Sequence, residues 1–84
     1  MKFSLIVDVS LREGIADPEG ATIERALPAL GFTGVTNVHA GKSFRLDVEA
    51  PDEAAALAKA TALAERLLSN PVIENATARL GQRS

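Results

Sequence analysis

The sequence predicts an α+β domain with the element order β-α-β-β-α-β: a four-stranded, mostly antiparallel sheet carrying both helices on one face. Three observations predict it. Apolar and polar residues alternate over 2–10 and again over 42–50, the period of a half-buried strand. Two stretches carry apolar residues at helical spacing, each entered through an acid and a proline, Asp17-Pro18 and Pro51-Asp52. Each also has a stop, Gly31 for the first and Asn70-Pro71 for the second.

In the first strand Phe3, Leu5, Val7 and Val9 share one face, and Lys2, Ser4, Asp8 and Ser10 the other, with Ile6 as the exception. The first helix follows, capped by Asp17 and opened by Pro18, with Ile23, Ala26, Leu27 and Leu30 on one stripe. Gly20 lowers its propensity, and Pro28 removes an amide and crowds the carbonyl of Glu24, so a kink or an early end is expected near Pro28. Residues 35–40 read as the second strand and 42–50 as the third, with Gly41 between them as a turn or bulge. Pro51, Asp52 and Glu53 start a second helix that runs through Leu68, its alanines allowing close approach to a sheet. Residues 72–80 form the fourth strand and "GQRS" is a tail. Phe3, Leu5, Val7, Val9, Phe44, Leu46 and Val48 are the expected core. The opposite face carries Ser4, Ile6, Asp8, Asn37, His39, Arg45 and Asp47, with Ile73.

All 84 residues read as one domain. A chain this short buries only about 60–65% of the surface its unfolded form exposes. There is no cysteine and one histidine, so neither disulfides nor a structural zinc supplement the core. Self-association is the remaining common supplement, and a homodimer or higher homo-oligomer is expected. A net charge of -2 and three phenylalanines without tyrosine or tryptophan give neither a basic footprint nor a base-stacking platform for nucleic acid. The N-terminal apolar run is too short and too regularly alternating for a signal peptide or a membrane span, and cysteine is absent, so a cytoplasmic protein is expected.

The motif search returns no convincing active site. Ala40-Gly41-Lys42-Ser43 has the look of a phosphate-binding loop, but the first glycine of that pattern would stand at Thr36, and a strand follows rather than a helix. His39 and Ser43 are the only histidine–serine pair close in sequence, and no third group is evident to orient the histidine. Arg45 after Gly41 resembles the phosphate-gripping arginine of acylphosphatases. In those enzymes, however, the loop follows the first strand. The acids Asp17, Glu19, Asp52 and Glu53 stand at helix starts, where capping and dipole compensation account for them.

Three segments together resemble the PurS family, small subunits of phosphoribosylformylglycinamidine synthase: "DPEGATIERALPALGF" (17–32), "VTNVHAGKSFRLDVE" (35–49) and "LLSNPVIENA" (67–76). The similarity runs from Phe3 to about Leu80. Asp17, Pro18, Gly20, Gly41, Lys42, Asn70, Pro71 and Glu74 match the family pattern. The resemblance implies a subunit without an active site of its own, working with a large synthetase subunit and a glutaminase subunit. Glutamine supplies ammonia there, and the synthetase subunit, not this chain, uses ATP and magnesium to convert the formylglycinamide ribonucleotide to its amidine. The small subunit is expected to bridge the two and support ammonia transfer.

On this reading Asp17 caps, Pro18 starts a helix, Gly41 turns, Gly31 and Asn70-Pro71 stop helices, and Gly20 and Glu74 belong to the same structural pattern. Gly41, Lys42, Arg45, His39, Asn70 and Pro71 are the candidates for a partner interface. Lys42 stands out because a turn does not require lysine. Two other classes share the element order: an oligomeric domain sensing a small molecule between protomers, and an acylphosphatase-like enzyme dependent on Arg45.

Overall fold

The structure, a computed structural model, describes residues 1–81, so the expected tail beyond Gly81 lies outside the described residues. Its elements are β1 (Lys2–Leu11), α1 (Pro18–Ala26), a 3-10 turn (Pro28–Leu30), β2 (Gly41–Glu49), α2 (Glu53–Leu63) continued by a π turn (Ala64–Leu68), and β3 (Glu74–Leu80). The sheet is antiparallel with order β2-β1-β3.

The register follows from the alternation. Phe3 pairs with Val48, Leu5 with Leu46 and Val7 with Phe44, which places the expected apolar set on one face. On the other side Val7 faces Ala78 and Val9 faces Ala76. Over this face lie α2 and the π turn that continues it, with Ala56, Ala60 and Ala64 buried one turn apart against Leu5, Val7 and Val9. Alanine there lets the helix backbone approach the sheet closely, at the expense of apolar area per residue. On the outer face Ile6 is buried between the register partners Arg45 and Arg79, with Gly81 beside it.

Among the described residues the sheet has three strands, not the expected four. Residues 35–40 form no strand, for two physical reasons. Gly34 (φ 78°) and Asn37 (φ 56°) take left-handed conformations that break an extended run. The amides of Val38 and Ala40 donate to the carboxylates of Glu24 and Asp17, which leaves those donors no ladder partner. Gly41 is accordingly not a hairpin turn: it opens β2, paired with Ser10.

The helices do not share a face of the sheet. Only α2 packs across the strands, whereas α1 packs against the 3-10 turn that follows it. Residues 12–40 leave the sheet at the ends of β1 and β2, and their two legs are bound to each other, so α1 projects as an arm. The molecule measures 51 × 33 × 15 Å.

Pro28 acts as expected, ending the α-helix at Ala26 and starting the 3-10 turn, and Gly31 (φ 87°) closes it with its amide on the Pro28 carbonyl. Asp52 caps α2 by accepting from the Ala55 amide, with Pro51 outside the helix rather than in its first turn. β3 starts at Glu74 rather than at residue 72, because Asn70–Glu74 closes as a turn: Asn70 O accepts from the amides of Ile73 and Glu74.

Candidate functional site

Most residues singled out in the sequence gather at one end of the sheet, where β1 exits and β2 and β3 begin. Register sets the positions: Ser10 lies opposite Gly41, Val9 opposite Lys42, and Leu11 opposite Glu74. Residues between 17 and 74 in the chain thereby become neighbours.

Asp17 is the centre of this end. Its Oδ1 accepts from the Gly20 amide at 2.9 Å, the cap of α1, and its Oδ2 accepts from the Ala40 amide at 2.8 Å. His39 Nδ1 lies 3.5 Å from the same Oδ2, its ring largely exposed. The Gly20 and Ala40 amides hold the Asp17 carboxyl below the usual carboxylate range, His39 adds to this, and partial burial opposes it. Glu24, two turns along α1, accepts from the Val38 amide at 2.9 Å. These bonds join the cap and the last turn of α1 to the returning leg. Gly20 is required for the approach, since a Cβ there would stand 2.3 Å from the Val38 carbonyl oxygen. Gly41 serves a similar purpose, with the Val9 carbonyl oxygen 2.7 Å from a Cβ position.

Across β1, Glu74 Oε1 accepts from the Asn70 amide at 2.7 Å, and Asn70 Oδ1 accepts from the Val72 amide at 3.1 Å. The turn is tied to β1 by Arg12, whose Nε donates to the Pro71 carbonyl at 2.9 Å and whose amide donates to the Ile73 carbonyl. Between turn and arm lies an open cavity of about 460 Å³ lined by Val9, Leu11, Asp17, Glu19, Lys42 and Glu74. Lys42 is exposed and makes no hydrogen bond or ion pair among the described residues. Beside the turn Leu67 and Val72 are 74% and 81% exposed.

Arg45 and Gly31 do not join this group. Arg45 stands exposed on the outer face opposite Ile6, away from any loop that could close over an anion, and Gly31 lies in the arm. His39 and Ser43 are held by different acids, His39 by Asp17 and Ser43 by Asp8. Asp8 also accepts from Arg79 Nε at 3.0 Å; the Arg79 bond first and the Ser43 hydroxyl second hold its carboxyl below the usual range. Among the described residues no three His, Cys, Asp or Glu side chains are grouped to hold a metal ion, and no helix is long and apolar enough to cross a membrane.

Sequence reasoning missed the second bond of Asp17, the part played by Glu24, and the exposed pair Leu67 and Val72. Asp17 and Ala40 are 23 residues apart, and no local pattern connects them. Chemically, this end of the sheet is an apolar floor with a free ammonium group, three carboxylates and fixed backbone, an arrangement suited to contact with another surface.

The family model PurS, phosphoribosylformylglycinamidine (FGAM) synthase, matches residues 4–82. The PurS subunit of Archaeoglobus fulgidus is 44% identical over 68 residues, covering 81% of this chain and 85% of the relative. That of Synechocystis is 43% identical over 67 residues, covering 80% and 67%. Among solved structures, a chain in the structure of PurLQS from Thermotoga maritima superposes with a TM-score of 0.88 at 36% identity, covering 96% of this chain and 99% of that one.

Proposed function

We propose, because this chain belongs to the PurS family of phosphoribosylformylglycinamidine synthase subunits in purine biosynthesis, that it bridges the glutaminase and ATP-dependent synthetase subunits of that enzyme. In this role it supports ammonia transfer during glutamine-dependent conversion of the formylglycinamide ribonucleotide to its amidine. The observation that carries the reading is the near-complete match to a chain of PurLQS, in which 96% of this chain has a counterpart. A bridging subunit needs surfaces rather than a nucleophile, and the sheet end with Lys42, together with the exposed Leu67 and Val72 beside Asn70-Pro71, is the surface we assign to the other subunits. ATP and magnesium are bound by the synthetase subunit and not by this chain. The chain works as a homodimer or higher homo-oligomer, in the cytoplasm with its partner enzymes.

The test is assembly. The purified chain, mixed with synthetase and glutaminase and run by size-exclusion chromatography with light scattering, is expected to enter one complex with both. A chain that elutes alone at micromolar concentrations of all three contradicts the proposal.

A further inference from the structure

The turn between the π turn and β3 is ordered without being packed. Pro71, Val72 and Ile73 are all exposed, Val72 at 81%, so burial does not hold them in place. Polar bonds do, since every backbone N–H from Ser69 to Glu74 has a partner inside the protein. The Ser69 amide and hydroxyl both donate to the Ala64 carbonyl, at 2.9 and 2.8 Å. The Asn70 amide donates to Glu74 Oε1, the Val72 amide to Asn70 Oδ1, and the Ile73 and Glu74 amides to the Asn70 carbonyl. Water satisfies such groups at a surface almost as well, so this closure fixes shape more than it adds stability.

Among the described residues, only Arg12 bonds to Pro71–Ile73 from another element. Its amide donates to the Ile73 carbonyl at 2.8 Å, and its Nε donates to the Pro71 carbonyl at 2.9 Å. Proline has no N–H, so that carbonyl is the one hydrogen-bonding group Pro71 owns. It also belongs to the peptide unit just before Val72, whose N–H is held by Asn70. Arg12 and Asn70 therefore pin that peptide at both ends and set the direction of the Val72 side chain.

We propose that Arg12 is a positioning residue for assembly: it holds the turn in the shape in which Val72, beside Leu67, enters an apolar pocket of another subunit of the enzyme. This rests on the bridging reading above and names the element that makes the contact. A second copy offers no such pocket at the turn. The cavity beside it, about 200 Å³, is lined mainly by polar side chains, Arg12, Glu65, Ser69, Glu74 and Asn75 among them, and burying a valine there would strand those groups. A turn shaped in advance loses less entropy on docking, which accounts for ordering a segment that packs against nothing in its own chain.

The assay is the glutamine-dependent rate of purified synthetase and glutaminase as this chain is titrated in: half-saturation reads docking, and the saturating rate reads catalysis. Arg12→Ala removes the bond to Pro71 and leaves the amide bond to Ile73. It is expected to raise the half-saturating concentration about 10-fold, because the freed turn must be ordered again, with the saturating rate and the urea midpoint unchanged. Arg12→Lys keeps a charged donor and should recover part of that loss, whereas Val72→Asp should raise the concentration on the order of 100-fold. A wild type without effect on the glutamine-dependent rate overturns the bridging reading and this role with it. A responsive wild type with Arg12→Ala equally effective overturns the positioning role alone, as does a loss that appears instead in self-association of the chain, measured by sedimentation. Hydrogen exchange of the free wild type needs no variant: the Val72, Ile73 and Glu74 amides should be protected before any partner is added, and unprotected exchange there refutes the preformed turn.

Discussion

Replacing Gly20 with alanine separates local helix propensity from the packing of the arm. In an ordinary helix interior the change stabilises by about 0.8–1 kcal/mol, because glycine has more backbone freedom to lose. Here the new Cβ would stand 2.3 Å from the Val38 carbonyl oxygen and 2.6 Å from Asp17 Oδ2. A comfortable contact is about 3.5 Å, so the returning leg must move by roughly 1 Å. A shift of that size breaks the 2.9 Å bond from the Val38 amide to Glu24, worth about 1 kcal/mol, and overpacking adds about 1–3 kcal/mol. The net expectation is destabilisation by about 1–3 kcal/mol, opposite in sign to propensity. Urea unfolding at one fixed protein concentration measures it, with Ala21→Gly at the exposed neighbouring position as calibration, expected to cost about 1 kcal/mol. A Gly20→Ala protein more stable than the wild type would refute the packing argument.

Three further predictions concern the core, the clamp and the interface. Leu5→Ala, at a buried core position, should destabilise by about 2–5 kcal/mol, while Leu67→Ala, exposed beside the turn, should change urea stability by less than about 0.5 kcal/mol. Asp17 has a folded-state pKa below its unfolded value, so its contribution is fully present above the ordinary carboxylate range and is lost as pH falls through the lowered pKa. Amide protection of Gly20 and Ala40 should therefore persist to lower pH than an unperturbed carboxylate allows, and Asp17→Asn should abolish that acid-side dependence in an NMR exchange titration. Lys42→Ala should leave the urea midpoint unchanged, because the side chain is exposed and unbonded, and should lower the glutamine-dependent rate of the assembled enzyme. An unchanged rate would remove Lys42 from the interface.

What could be read in the sequence depended on whether its cause is local. The faces of β1 and β2 were legible because period-2 alternation states which residues are buried, and Phe3, Leu5, Val7 and Val48 sit where it puts them. Close approach of the second helix to the sheet was legible from its many alanines between Ala54 and Ala64, but that Ala56, Ala60 and Ala64 are the ones buried was not. Residues 35–40 misled because their composition suits a strand while the amides of Val38 and Ala40 are claimed by Glu24, in the last turn of α1, and Asp17, its cap, 14 and 23 residues earlier. The stripe of Ile23, Ala26, Leu27 and Leu30 marked the position of the first helix, although the α-helix stops at Ala26 and Leu30 lies in the 3-10 turn, and periodicity does not name the surface that covers it. At the sheet end only the Asp17 cap was legible: Gly20 reads in the sequence as a loss of helix propensity and Gly41 as a turn, and neither reading names the backbone that each lies against. The convergence of Asp17 and Gly41 on one cavity with Lys42 and Glu74 required the register of three strands.

The central claim is a coupling subunit, and one measurement addresses it most directly: the rate of amidine formation by purified synthetase and glutaminase, with and without this chain, using glutamine or ammonia as the nitrogen source. The account predicts that the chain restores the glutamine-dependent rate, has no activity alone, and leaves the ammonia-dependent rate nearly unchanged. A glutamine-dependent rate that is the same with and without the chain would contradict it.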